Sequence, residues 1–132
     1  MTVVFGVGET LNRLAKIQGL ATAAIAVGVS RGCQLGASRV RGKASGRPGP
    51  RNRSGDYRRS IVSDTQVQGS TVLGQIGTNS PQGRRLEFGF VGADSLGRNY
   101  NQPPFPHFMP AVPEITADVE NEIAKAMEKA NL

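Results

Sequence analysis

Arg53-Ser54-Gly55-Asp56-Tyr57-Arg58-Arg59-Ser60-Ile61 closes a stretch rich in glycine and arginine and opens an alternating one, and its reading decides the fold. Upstream, from Gly42 to Gly55, the chain is mostly Gly, Pro, Ser and Arg, and Pro48-Gly49-Pro50 forbids both helix and central strand. Downstream, Tyr57, Arg59, Ile61, Ser63, Thr65 and Val67 share one parity, so Tyr57 to Val67 reads as a β-strand. Gln68-Gly69 supplies a turn, and Thr71 to Gly77 returns with Val72 and Ile76 among its apolar positions. Together these segments predict a β-hairpin that begins where the loop ends.

Helices flank this hairpin. Residues 2 to 6 are apolar and β-branched enough for a short edge strand, after which Glu9 to Ile17 carries Leu11, Leu14 and Ile17 at helical spacing, with Arg13 and Lys16 outside. After Gly19 a second, longer helix is expected from about Ala21 to Val40, with Ile25, Val29, Cys33 and Val40 near one side. Gly28, Gly32 and Gly36 fall four apart on it. Each costs about 1 kcal/mol of helix propensity relative to Ala, so the strip is read either as a close approach of another backbone or as a break near Gly32. At the other end, Pro113 to about Ala130 places Ile115, Val119, Ile123 and Met127 every fourth residue, with early acids and late Lys125 and Lys129 suiting the helix dipole.

Between hairpin and last helix, Asn79-Ser80-Pro81 reads as a helix or turn start with Asn79 or Ser80 as cap. A short helical turn would then carry Leu86 and Glu87 up to Gly89. Gly89 to Pro106 is expected to be a second long loop, whose Phe90, Tyr100 and Phe105 call for a partner surface. The fold class is α+β: N-terminal helices and a C-terminal helix packed on a small antiparallel sheet. One domain spans residues 1–132, with 42–55 and 89–106 as extended loops.

Composition narrows the function. With 132 residues, five Phe, two Tyr and no Trp, the chain can fill one modest core, and seventeen Gly and eight Pro favour long loops around it. Sixteen Lys and Arg against ten acids give a net charge of +6. The excess is concentrated: residues 39 to 59 hold eight basic side chains and one acid, whereas the chain from Glu114 onward holds five acids and two lysines. A basic middle and an acidic end suit an anionic partner and contacts between copies. The apolar stretch from Leu20 to Val29 is too short to span a bilayer. No signal peptide is visible, and Cys33, the only cysteine, reads as a buried structural thiol.

Catalytic chemistry is not readable. His107 is the only histidine and reads as a packing or surface residue, so neither a zinc set nor a Ser-His-Asp or Cys-His arrangement forms. Gly6-Val7-Gly8 lacks the third glycine of a dinucleotide fingerprint, and no Walker-type sequence occurs. The chain is therefore read as a non-enzyme without cofactor or metal. Glu87 is read as an interface charge or a plain solvated carboxylate. Arg47, Arg51, Arg53, Arg58 and Arg59 offer charge to phosphates with only Tyr57 interleaved, which fits sequence-independent backbone contact.

Four segments in order carry a resemblance: Arg53 to Ile61, then Gly77-Thr78-Asn79, then Glu87-Phe88-Gly89, then Phe108-Met109-Pro110-Ala111 before the final helix. In this order the chain resembles the tail-completion or head–tail joining proteins in the neck of long-tailed bacteriophages. It departs from them where Pro81-Gln82-Gly83 stands in place of the usual Tyr-Ala, and in an added Pro-Gly-Pro before Arg53. The resemblance implies a structural virion protein, assembled in the host cytoplasm, that completes the tail and joins it to the filled head. Its partners would be further copies in a ring matching the tail's sixfold symmetry, the head-completion, tail-terminator and tail-tube proteins, and double-stranded DNA in the lumen, with no membrane. Glu87, Phe88, Gly89, Phe105, Phe108 and Pro110 would form the subunit and neck interface. Arg47, Arg51, Arg53, Arg58 and Arg59 would face the DNA channel or another anionic surface. The alternative is a small basic nucleic-acid-binding protein without sequence preference.

Overall fold

The computed structural model describes residues 7–51 and 53–132. Helix α1 runs from Val7 to Lys43, and a set of turns leads to the single-turn helix α2, Asp56–Ser60. Strands β1, Ile61–Gln68, and β2, Thr71–Thr78, form an antiparallel hairpin in which Gln68 faces Thr71 and Ile61 faces Thr78. Helix α3, Gly83–Phe88, precedes a second antiparallel pair, β3, Phe90–Ala93, and β4, Asn99–Gln102. A 3-10 turn, Met109–Ala111, enters helix α4, Val112–Lys129. The α+β class follows directly from this order, with long helices at both ends and two small antiparallel sheets between them.

The glycine strip of α1 is a close approach and not a break. An added Cβ at Gly32 would lie 2.6 Å from the Cα of Val119, and one at Gly36 would lie 3.0 Å from Ile115 Cγ1. Gly28 faces the backbone of Ile123 in the same way. Because 28, 32 and 36 meet 123, 119 and 115, α1 and α4 run antiparallel with the every-fourth-residue stripe of α4 seated on the strip. Arg39 clamps the far edge of the contact, with its guanidinium forked on Asp118 and 3.5 Å from Glu114. That guanidinium, together with its charge, holds the Asp118 carboxyl below its ordinary range despite opposing desolvation.

The hairpin packs on α1 beside α4, with Ile76 of β2 and Ile115 of α4 both against Gly36. Gly74 of β2 makes this possible, since a Cβ there would sit 2.6 Å from Cys33 Sγ and from Val29 Cγ1. Cys33 is accordingly buried, and burial pushes its thiol pKa up. Val40 from α1, Ala44 just after it, Ile61 from β1 and Ala111 from the 3-10 turn make the centre of the core, flanked by Tyr57, Ile76, Phe108 and Ile115.

Several expectations change. The two N-terminal helices are one helix, because nothing at Gly19 replaces helical hydrogen bonding; a Cβ there would meet open space. The edge strand expected at residues 2 to 6 lies outside the described residues. Residues 56 to 60 are helical and not strand: Gly55 turns at φ 84°, and Arg59 N–H donates back to the Gly55 carbonyl at 3.0 Å. The start of the strand moves to Ile61, and α3 starts after Gln82, two or three residues beyond the expected caps. The 42–55 stretch is not extended: Gly42 and Lys43 belong to α1, Gly46 N–H donates to the Pro50 carbonyl at 2.9 Å, and Pro50 is fully buried. The 89–106 stretch contains the β3–β4 ribbon, whose turn is tied by Asp94 accepting from the N–H groups of Leu96 and Arg98, each at 2.9 Å.

With 37 residues against 18, α1 outreaches α4 by a wide margin, about 55 Å against about 27 Å. Every residue from Leu11 to Leu20 is exposed, including Leu11, Leu14, Ile17 and Leu20. Among the described residues, no helix is long and apolar enough to cross a membrane.

Candidate functional site

The segments singled out in the sequence converge beside the core. Glu87, at the last turn of α3, is buried, and its carboxylate accepts from three successive backbone N–H groups: His107 at 2.7 Å, Phe108 at 3.1 Å and Met109 at 2.8 Å. It therefore caps the chain entering the 3-10 turn and α4. His107 is fully buried beside it, with Nδ1 2.9 Å from the Phe105 carbonyl and 3.0 Å from Glu87. With Nδ1 carrying the proton toward those oxygens, Nε2 accepts the Tyr57 hydroxyl proton at 2.5 Å. The Tyr57 and His107 rings meet edge to face with centroids 5.4 Å apart, and His107 packs on Phe108 at 4.9 Å.

Electrostatics follow from these partners. Burial opposes a charge on Glu87, but the three backbone donors and His107 outweigh it and hold the carboxyl below its ordinary range. Burial, and then the Glu87 charge, push the Tyr57 hydroxyl up to about 12. Every polar atom of the knot is satisfied, and none of the buried side-chain polar atoms described in the chain lacks a partner. Such a saturated arrangement holds three chain segments in place.

Glu87 is thus neither an interface charge nor a solvated carboxylate, since its side chain turns inward. Its neighbour Phe88 turns outward and is 68% exposed, and Val91 and Met109 are exposed as well. Gly89 adopts φ 79°, and a Cβ there would lie 2.8 Å from the Gln102 carbonyl, so the turn out of α3 needs glycine. Phe108 is half-buried against the core, Pro110 is exposed, and Phe105 is half-buried with its N–H donating to the Leu86 carbonyl at 2.7 Å. Of the expected interface residues, Phe88 and Pro110 present a surface, whereas Glu87 and Phe108 serve the interior.

On the outer side of Tyr57 lies a cleft of about 390 Å³. Arg47, Arg51, Arg53 and Arg58 line it, with Pro50, Leu86 and Phe105 as its apolar part and Gln82 and Gln102 on the wall. No carboxylate lines it, and among the described residues none of these four arginines pairs with an acid. Arg47 is held in place: its guanidinium lies 3.6 Å over the Phe105 ring and donates to the Gly49 carbonyl at 3.0 Å. Arg59 is the exception, since it does not line the cleft and pairs with Asp56 at 2.5 Å on the surface. Sequence reading finds the arginines but not the cleft. It also misses the partnership of His107 with Tyr57 and Glu87, for which a lone histidine between proline and phenylalanine gives no signal.

No protein-family model matches the chain, and no curated protein or solved structure matches it either.

Proposed function

We propose that this chain is a structural subunit of the neck of a long-tailed bacteriophage, completing the tail and joining it to the DNA-filled head as a ring around the DNA path. The observation that carries the reading is the convergence of the motifs behind the resemblance. Tyr57 from the Arg53–Ile61 segment, Glu87 from Glu-Phe-Gly and the backbone of residues 107–109 form one hydrogen-bonded knot. Residues that are far apart in sequence and are named by one family pattern act here as one structural unit, and the unit is saturated as a scaffold would be. The uncovered apolar residues on the first turns of α1 add support, because an isolated helical stretch of that length is marginal in water and gains from a neighbour.

A second reading, a basic protein that contacts nucleic acid without reading sequence, is favoured by the unpaired arginines of the cleft. The two readings separate in an infection. With a stop codon early in the gene, the neck assignment expects DNA-filled heads and separate tails with few joined particles, and antibody against the chain should label the head–tail junction of wild-type virions. Joined, infectious particles lacking the chain would end the neck assignment.

A further inference from the structure

We propose that the cleft lined by Arg47, Arg51, Arg53 and Arg58 is a phosphate-binding site for linked phosphates, whether of a nucleic-acid backbone or of a free polyphosphate. The site stands on its own geometry, independently of a place in a phage neck.

Four guanidiniums share one concavity of about 390 Å³, within the roughly 300–1,000 Å³ range of small-ligand sites. Guanidinium stays charged at any pH a protein experiences, so the group cannot relieve its mutual repulsion by losing protons. Three arginines elsewhere in the chain are neutralised: Arg39 by Asp118 and Glu114, Arg59 by Asp56, Arg98 by Asp94. The four that converge on the cleft have no acid partner among the described residues, and a multivalent anion is the ligand class that would complete them.

Two details select phosphate-backbone recognition over base reading. The aromatic ring lining the cleft beside Tyr57, Phe105, already has the Arg47 guanidinium 3.6 Å over its centroid, so that face is taken before any base could stack on it. The Tyr57 hydroxyl, the other aromatic polar group, is committed to His107. What remains for a ligand is charge in a fork geometry suited to oxyanions. Arg47 is pre-placed by Phe105 and the Gly49 carbonyl, which lowers the ordering cost of binding.

The test uses the full chain at low salt, with tripolyphosphate followed by calorimetry and a short labelled DNA duplex followed by anisotropy. Both probes should bind. Arg51→Gln/Arg58→Gln should weaken tripolyphosphate by about tenfold or more, and the salt slope of duplex binding should not exceed about four phosphates' worth. Arg13→Gln/Lys16→Gln, on the exposed start of α1, removes the same net charge and should leave binding within about twofold. Circular dichroism and thermal melting of both variants confirm that they remain folded. Duplex binding that is displaced by tripolyphosphate and lost in the Arg51/Arg58 variant identifies the nucleic-acid backbone as the source. Duplex binding insensitive to that variant, with tripolyphosphate sensitive, identifies a free polyphosphate. Equal losses in the two variants, or no tripolyphosphate binding at low salt, would overturn the site.

Discussion

The two sides of Tyr57 treat charge in opposite ways. On the inner side, a single carboxylate, Glu87, is buried with three backbone donors and a histidine around it, and nothing is left over. On the outer side, four arginines share a cleft with no acid at all. A buried charge with every lone pair occupied is a structural fastener, since its desolvation is offset only while all partners stay in place. A solvated cluster of one sign costs the fold little and gives it little, and its value lies in what it attracts. The contrast separates the residues that hold the fold together from those left open to solvent.

The largest expected effect tests the inner side. Glu87→Ala leaves the N–H groups of residues 107, 108 and 109 without their acceptor in the interior, and should cost about 3–5 kcal/mol in urea denaturation. A loss below about 1 kcal/mol would mean that water or a backbone shift replaces the carboxylate, and the contrast would fail.

Acid should expose the same group with a smaller effect. The folded-state pKa of Glu87 lies below its ordinary value of 4.5, so its contribution is complete above that pH and is lost as pH falls through the folded value. Asp118 and Asp94 are lowered as well, and they contribute to acid sensitivity in the same direction. Comparison with Glu87→Gln isolates the one group: below pH 4.5 the wild type should lose stability more steeply than the variant. Parallel curves for the two proteins would show that Glu87 carries no charge-dependent share.

The smallest effect belongs to the outer side. Arg51→Gln/Arg58→Gln should change unfolding free energy by no more than about 0.5 kcal/mol, with any gain appearing at low salt, where repulsion is least screened. Destabilisation beyond about 1 kcal/mol would make these arginines supports of the 44–55 turns and would remove the distinction between the two sides.

Much of the frame is legible in the amino-acid sequence. The stripe Ile115, Val119, Ile123 and Met127 announces α4 within a residue or so of its observed ends, and the Gln68-Gly69 turn announces the first hairpin. The glycine strip points to a close approach, although periodicity leaves open a broken helix. Other elements are hidden for physical reasons. Strand β4 is Asn-Tyr-Asn-Gln, with no apolar alternation to reveal it, and it forms because it pairs with β3 and because Asp94 ties the turn. Residues 56–60 alternate well enough to look like strand, yet Gly55 bends the chain so that a single helical turn is what fits.

By itself, the sequence determined the α+β class, the two terminal helical regions, the first hairpin and the concentration of arginine between residues 39 and 59, because each is written in local periodicity, turn chemistry or charge. Only the tertiary structure decided which charges are interior and which are not. Glu87 and Arg58 both read as ordinary charged residues along the chain, and in the fold both stand on short helices. One meets the amides of residues 107–109 and is sealed, and the other opens on a cleft formed with residues from three other segments. Burial is a property of what the rest of the chain brings alongside, and contacts between residues twenty or more positions apart leave no periodic trace in the sequence.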